Sequence, residues 1–110
     1  MPSRAPARPL RCANLEIRPF ECQAFVDGRP LGLTEREFQV LLALAAHRNR
    51  VVPRPDLYRF VWRRPMSYRD RSVDVFVRKL RDKLGAAAPS WVYIHTHFGV
   101  GYRFAPKRAC

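Results

Sequence analysis

Asp70 to Leu84, DRSVDVFVRKLRDKL, carries the spacing of an amphipathic helix. With Val73 set at 0° and about 100° of turn per residue, Val77, Leu80 and Leu84 fall within about 40° of it, while Arg71, Val75, Arg78 and Asp82 lie at about 140–200°. Ser72 and Lys79 border that outer stripe. A charged face on one helix can serve solubility alone, but the residues around this one are unbalanced. From Arg63 to Lys83 there are eight basic side chains against three acids, a local charge of +5. Opposite charges are interleaved as i,i+4 pairs only sparsely, so the exposed side suits a polyanion.

After Gly85-Ala86-Ala87-Ala88-Pro89, read as a helix stop with Gly85 just past the last helical residue, come Trp91 to Thr96, then His97-Phe98-Gly99-Val100-Gly101, then Tyr102-Arg103-Phe104. Val92, Ile94 and Thr96 alternate with Tyr93 and His95, as a strand with one buried face requires. The segment predicts a β-hairpin with two glycines at its tip. Helix, short loop and hairpin in this order can place the helix in a major groove about 12 Å wide, with the hairpin on the flanking backbone or minor groove.

Upstream, Leu15-Glu16-Ile17, Cys22 to Val26 and Pro30 to Leu33 read as short extended pieces, broken at Pro19 and at the turn signal Asp27-Gly28. Thr34-Glu35-Arg36-Glu37 is a capping box opening a helix that ends near His47, with Phe38, Leu41, Leu42 and Ala45 on its apolar stripe and Val40 and Leu44 widening it. A second helix is expected from Arg54 to Trp62, with Pro55 in its first turn and Leu57, Phe60 and Val61 buried. The loop from Arg63 to Arg69 follows. Residues 1–13, with their prolines and arginines, read as a disordered tail or linker, 14–106 as one domain, and 107–110 as a basic tail.

The chain has 110 residues, a formal charge of +12 and 47% apolar residues. That composition supports one real core and predicts salt-sensitive attraction to nucleic acid or an anionic surface. No apolar run reaches the length of a membrane span and the first 30 residues lack a signal-peptide core, so a cytoplasmic location without membrane association is expected. Cys12, Cys22 and Cys110 are too irregularly spaced for a zinc site, although Cys12 and Cys22 could become neighbours in a sheet. His47 reads as a helix-end residue. His95 and His97 share one side of a strand but match no metal-ligand pattern with the acids, and no phosphate loop or nucleophile elbow occurs. An enzyme, a cofactor or a metal is not expected.

These residues resemble the OmpR/PhoB-type winged-helix domain, the DNA-binding half of many bacterial two-component response regulators. The resemblance rests on Leu33-Thr34-Glu35-Arg36-Glu37-Phe38, Leu41-Leu42, Val51-Val52, Leu57, Val61-Trp62, Arg71-Ser72-Val73-Asp74-Val75, Leu80-Arg81-Asp82-Lys83-Leu84 and Gly99-Val100-Gly101-Tyr102-Arg103-Phe104, in that order, and covers Leu15 to Phe104. It implies an α+β winged helix-turn-helix: an N-terminal four-stranded antiparallel sheet, three helices and a C-terminal hairpin wing. It also implies that Arg71, Ser72, Val75, Arg78 and Lys79 face bases or phosphates in a major groove, that Trp62, Arg69, Arg81, Thr96 and Tyr102 face the sugar-phosphate backbone, and that His97, Phe98 and Arg103 belong to the wing's contact. Arg can pair bidentately with guanine, and Val75 can meet a thymine methyl. The rings of Trp62 and Tyr102 suit core packing equally well.

By the same resemblance, the partners are double-stranded DNA in direct repeats, a second copy bound weakly head to tail, and RNA polymerase at the loop bearing Arg63, Arg64, Met66 and Tyr68, which could equally follow phosphates. Three positions depart from the pattern. Phe98 stands where many members carry a groove-inserting arginine, and reads first as a packing side chain and second as a wedge against a base step. Pro53 replaces the usual N-cap Ser or Thr, and Phe76 a frequent histidine. A response regulator also carries a receiver domain, which nothing in residues 1–33 could form, so the chain reads as an excised effector domain or a stand-alone member. The competing readings are an electrostatic nucleic-acid (RNA or DNA) binder without sequence readout, and a protein-interaction module using the wing or first sheet.

Overall fold

A computed structural model describes residues 8–109. The first sheet comprises β1 (Leu10–Cys12), β2 (Leu15–Arg18), β3 (Gln23–Val26) and β4 (Arg29–Pro30), antiparallel in that order. Leu15, Ile17, Ala24 and Val26 are buried on its inner face, as the period of two requires. Three helices follow, α1 (Glu35–Ala46), α2 (Arg54–Trp62) and α3 (Ser72–Ala87), with β5 (Val51–Pro53) between the first two. The C-terminal hairpin is β6 (Trp91–His97) and β7 (Gly101–Arg108), and β5 joins it in a sheet ordered β5-β7-β6. The expected α+β winged helix-turn-helix is therefore what the chain forms.

The core is one continuous cluster in which Phe38, Leu41 and Leu44 of α1 meet Leu57 and Tyr58 of α2, Val73, Val77, Leu80 and Leu84 of α3, and Ile94 and Phe104 of the hairpin. The capping box forms both bonds: the Glu37 N–H donates to Thr34 Oγ1 at 3.3 Å and the Thr34 N–H to Glu37 Oε1 at 2.8 Å. Glu37, buried, also receives Lys83 Nζ at 2.6 Å, which ties the start of α1 to α3. At the other end of the first sheet, the Tyr93 hydroxyl donates to Asn14 Oδ1 and joins it to the wing. Burial pushes this phenol up to about 12, the largest influence on it.

Several expectations are corrected. Residues 10–12, read as tail, form β1, because Leu10 and Cys12 pair with Ile17 and Leu15; β7 likewise continues to Arg108, across from Trp91. Residues 1–7 and Cys110 lie outside the described residues. Gly85 does not stop α3: it is not left-handed, Ala86 and Ala87 are strong helix formers, and the helix runs on until the Ala88 N–H donates to Leu84 O at 2.7 Å. In α2 it is Tyr58 that is buried, while Phe60 is 44% exposed and stacks on His47 at 5.2 Å. Strand alternation fails in β6, where a register shift between Val92 and Ile94 buries Tyr93 and Ile94 together and leaves Val92 exposed. Cys12 and Cys22 are not neighbours: Cys12 is buried opposite Leu15 and Cys22 is exposed in the turn at the far end of β2.

Candidate nucleic-acid interface

The candidate face is built on α3. No side chain of Arg71 caps this helix; instead Asp70, one residue further out, accepts the Ser72 N–H at 2.8 Å, a bond that holds the Asp70 carboxyl below its ordinary range. With Val73, Val77, Leu80 and Leu84 turned into the core, Arg71, Val75, Arg78 and Lys79 stand exposed, with Ser72 half-buried beside them. Lys79 Nζ lies 4.9 Å from the Phe76 ring centre, and Phe76 meets Trp62 edge-on at 5.6 Å. Trp62 in turn stacks on Tyr58 at 4.7 Å beneath the Arg36 guanidinium at 4.9 Å, so its ring is a hinge between core and surface.

Two long-range contacts set the pitch of α3. Arg54 Nε donates to Asp74 Oδ1 at 2.7 Å, and the Tyr102 hydroxyl donates to the same oxygen, while Arg54 lies 5.0 Å above the Tyr102 ring. Burial pushes the Asp74 carboxyl up, but the Tyr102 and Arg54 donors more than offset this and leave it below the usual carboxylate value. Tyr102 is raised, by burial first and by Asp74 second. About two turns further along, Arg81 reaches the wing: Nη2 donates to Thr96 Oγ1 at 2.6 Å and to Ile94 O at 3.0 Å, and Nε to Ile94 O at 3.3 Å.

The expected backbone-facing set is thus divided. Arg69 is exposed in the loop beside Tyr68, at 5.3 Å from its ring. Arg81, Thr96 and Tyr102, by contrast, have polar atoms engaged inside the protein and join α3 to the wing. At the wing, Arg103 Nε donates to His97 Nε2 at 3.2 Å, and His95 donates to Ala105 O at 2.7 Å. Phe98 does not pack, which corrects the first reading of it: it is 91% exposed, because the turn closed by the Val100 N–H to His97 O carries it beyond both strands.

In the Arg63–Arg69 loop, Arg63 is the left-handed C-cap of α2, Arg64 Nε donates to the Tyr58 hydroxyl at 3.0 Å, and Tyr68 is exposed. Met66 is partly buried against the core, an anchor of the loop rather than a projecting group. Among the described residues no cluster of three or more His, Cys, Asp or Glu is placed to hold a metal, and no helix is long and apolar enough to cross a membrane.

Sequence reasoning missed Arg54 and Asp74 as a pair, and also Arg36. Asp74 sits at the border of the α3 core stripe, an unusual place for an unpaired acid, and that was the available signal.

A cationic helix face, clear of the body and locked to an adjacent hairpin, defines a winged helix-turn-helix domain for nucleic acid. Comparison with known proteins gives the same class. A family model described as "Transcriptional regulatory protein, C terminal" matches residues 28–104. The chain is 37% identical over 90 residues to the alkaline phosphatase synthesis transcriptional regulatory protein PhoP of Bacillus subtilis, covering 82% of this chain and 38% of that protein. Among solved structures it is similar to the DNA-binding domain of CpxR from E. coli, with a TM-score of 0.81 at 31% identity over 89% of this chain and 96% of that one. It is equally similar to the Klebsiella pneumoniae RstA DNA-binding domain in complex with the RstA box, with a TM-score of 0.81 at 31% identity over 91% and 99% of the two chains. The chain belongs to the OmpR/PhoB-type family of C-terminal DNA-binding domains of transcriptional regulators. It spans about two fifths of the length of the curated relatives it matches.

Proposed function

We propose that this chain reads a specific double-stranded DNA site as the effector domain of a response regulator, with α3 in the major groove and the wing on the flanking backbone or minor groove. The observation that carries this is the exposure of Arg71, Arg78 and Lys79 on the helix that Arg81 fastens to the wing. Arg71 and Arg78 are the candidates for bidentate pairing with guanine, Val75 for a thymine methyl, and Ser72 and Lys79 for phosphates or base edges. Arg69, Trp62 and the rim of Arg103 and His97 are offered to the backbone. Arg81, Thr96 and Tyr102 support that surface, with any phosphate contact secondary to their internal bonds.

Pairing of copies head to tail on direct repeats about one helical turn apart is part of the same reading, with weak self-association in free solution. The Arg63–Arg69 loop, with Arg63, Tyr68 and Arg69 exposed and Arg64 braced on Tyr58, is proposed to meet RNA polymerase or adjacent phosphates. Alanine at Arg63 and Arg64 separates these: unchanged DNA affinity with lost transcription points to polymerase.

Selection of bound fragments from random duplex DNA tests the main proposal. A single enriched motif, repeated in one orientation and bound far more tightly than scrambled DNA, is expected. A specific-to-nonspecific ratio near one would leave only electrostatic binding by the +12 charge.

A further inference from the structure

We propose that Phe98 is a wedge that enters the minor groove beside the site read by α3 and seats its ring against a base step. This rests on the DNA-binding reading above and extends it to a contact of different chemistry.

The turn His97-Phe98-Gly99-Val100 places Phe98 at its second position, with Gly99 left-handed (φ +77°) at the third and the Val100 N–H on His97 O at 3.0 Å. This carries the phenyl ring outward from a closed turn. A phenylalanine side chain gains free energy by leaving water. At 91% exposure Phe98 gains almost none of it within this chain, and Val100 beside it is half exposed. The ring therefore adds nothing to the fold, and its burial remains available to a bound partner.

Three features favour a nucleic-acid groove as that partner. The tip continues the cationic surface of α3, since Arg81 binds β6 at Ile94 and Thr96 and thereby fixes the wing beside Arg78 and Lys79. Chemistry changes along the wing: Arg103, held against His97, lies behind an apolar tip. That order matches a groove, where phosphates line the rim and bases form the floor. The tip is also stiffly mounted, because the Arg54 N–H donates to Val100 O at 3.1 Å and Arg54 is itself paired with Asp74. A wedge acts only from a rigid support, since a free loop would yield before a base step did. Apolar wedges unstack base steps and kink the duplex by about 20–90° toward the major groove, most easily at TA and CA/TG steps.

The test uses the full chain and its selected duplex, with 2-aminopurine placed in turn at each flanking position and dyes at the two ends. The wild type is expected to raise 2-aminopurine fluorescence at one flanking step and shorten the end-to-end distance. F98A should abolish both signals and weaken binding by roughly 5–20-fold, the value of a buried ring less the cost of unstacking. F98W should retain both signals, and F98R should restore affinity without the fluorescence rise. Thermal unfolding should not change in any variant, because the ring touches no core residue. Unchanged fluorescence, bend and affinity in F98A would overturn the wedge while leaving sequence-specific binding intact. Loss in F98A of binding to phosphatidylserine vesicles, with DNA binding unaltered, would give the tip to a membrane surface instead. Failure of the wild type to select any duplex would remove both this proposal and the reading beneath it.

Discussion

Arg81 and Thr96 are joined by a hydrogen bond of 2.6 Å that runs from α3 to the wing, and the same guanidinium holds the Ile94 carbonyl. A basic residue of α3 thus spends its donors on the protein. Arg81→Ala should lower the unfolding free energy by about 1–3 kcal/mol, because partly buried acceptors on β6 lose their partner. DNA affinity should fall for every sequence alike. The slope of log affinity against log salt should stay that of wild type; a slope smaller by about one would instead make Arg81 a phosphate ligand.

Arg71 and Arg78 should behave differently. Alanine at either is expected to cost about 1–3 kcal/mol at one base position and to relax preference there, whereas Lys79→Ala should weaken all sites and reduce the salt slope by about one. Mobility shifts on base-permuted sites at two salt concentrations distinguish the outcomes. Uniform losses for both arginines would take base readout away from them.

Gly101 is fixed by steric contact rather than by backbone freedom. A Cβ there would stand 2.0 Å from Val52 O and 2.8 Å from Pro53 Cα, so Gly101→Ala must push β5 off β7. The expected loss is about 3 kcal/mol or more, about 10–20 °C in Tm, read by thermal unfolding. Gly99→Ala meets no neighbour and should cost far less, its penalty coming from the left-handed backbone alone.

Acid should destabilise the domain chiefly through the two carboxyls that tie its elements together, those of Glu37 and Asp74. Glu37, pushed up by burial but pulled further down by Lys83 and the Thr34 N–H, and Asp74, held down by Tyr102 and Arg54, both have folded values below their ordinary ones. Their contribution is complete above the unfolded values near 4.5 and 3.8 and is lost as pH falls through the lower folded values. Tm should accordingly drop below about pH 4.5. E37Q and D74N should each be less stable at pH 7 and show a shallower decline in acid. Parallel curves for variant and wild type would refute the assignment.

Local patterns were legible in the sequence, and distant pairings were not. The Thr34–Glu37 capping box, the α3 stripe of Val73, Val77, Leu80 and Leu84, and the glycine-tipped hairpin each obey a rule that spans a few residues, and each forms. Leu10–Cys12 and Val51–Pro53 are strands only because partners elsewhere receive them, and a three-residue segment carries too little periodicity to announce itself. The Val92/Ile94 shift is equally silent, since either strand face of that segment can be called apolar. At the site, the exposed basic stripe followed from helical geometry. The diversion of Arg81 and Tyr102 into internal bonds required knowing that Thr96 and Asp74 lie beside them.

Pro53 offers no side-chain cap to α2, and the Arg54 amide is taken by Val100 O from the opposite end of the chain. A helix terminated in this way cannot be completed until the last two strands have arrived, so its first turn should be among the latest parts of the molecule to gain protection during refolding. In the native state the same linkage makes fraying of that turn and opening of the hairpin a single cooperative event, with matched amide exchange rates at both places.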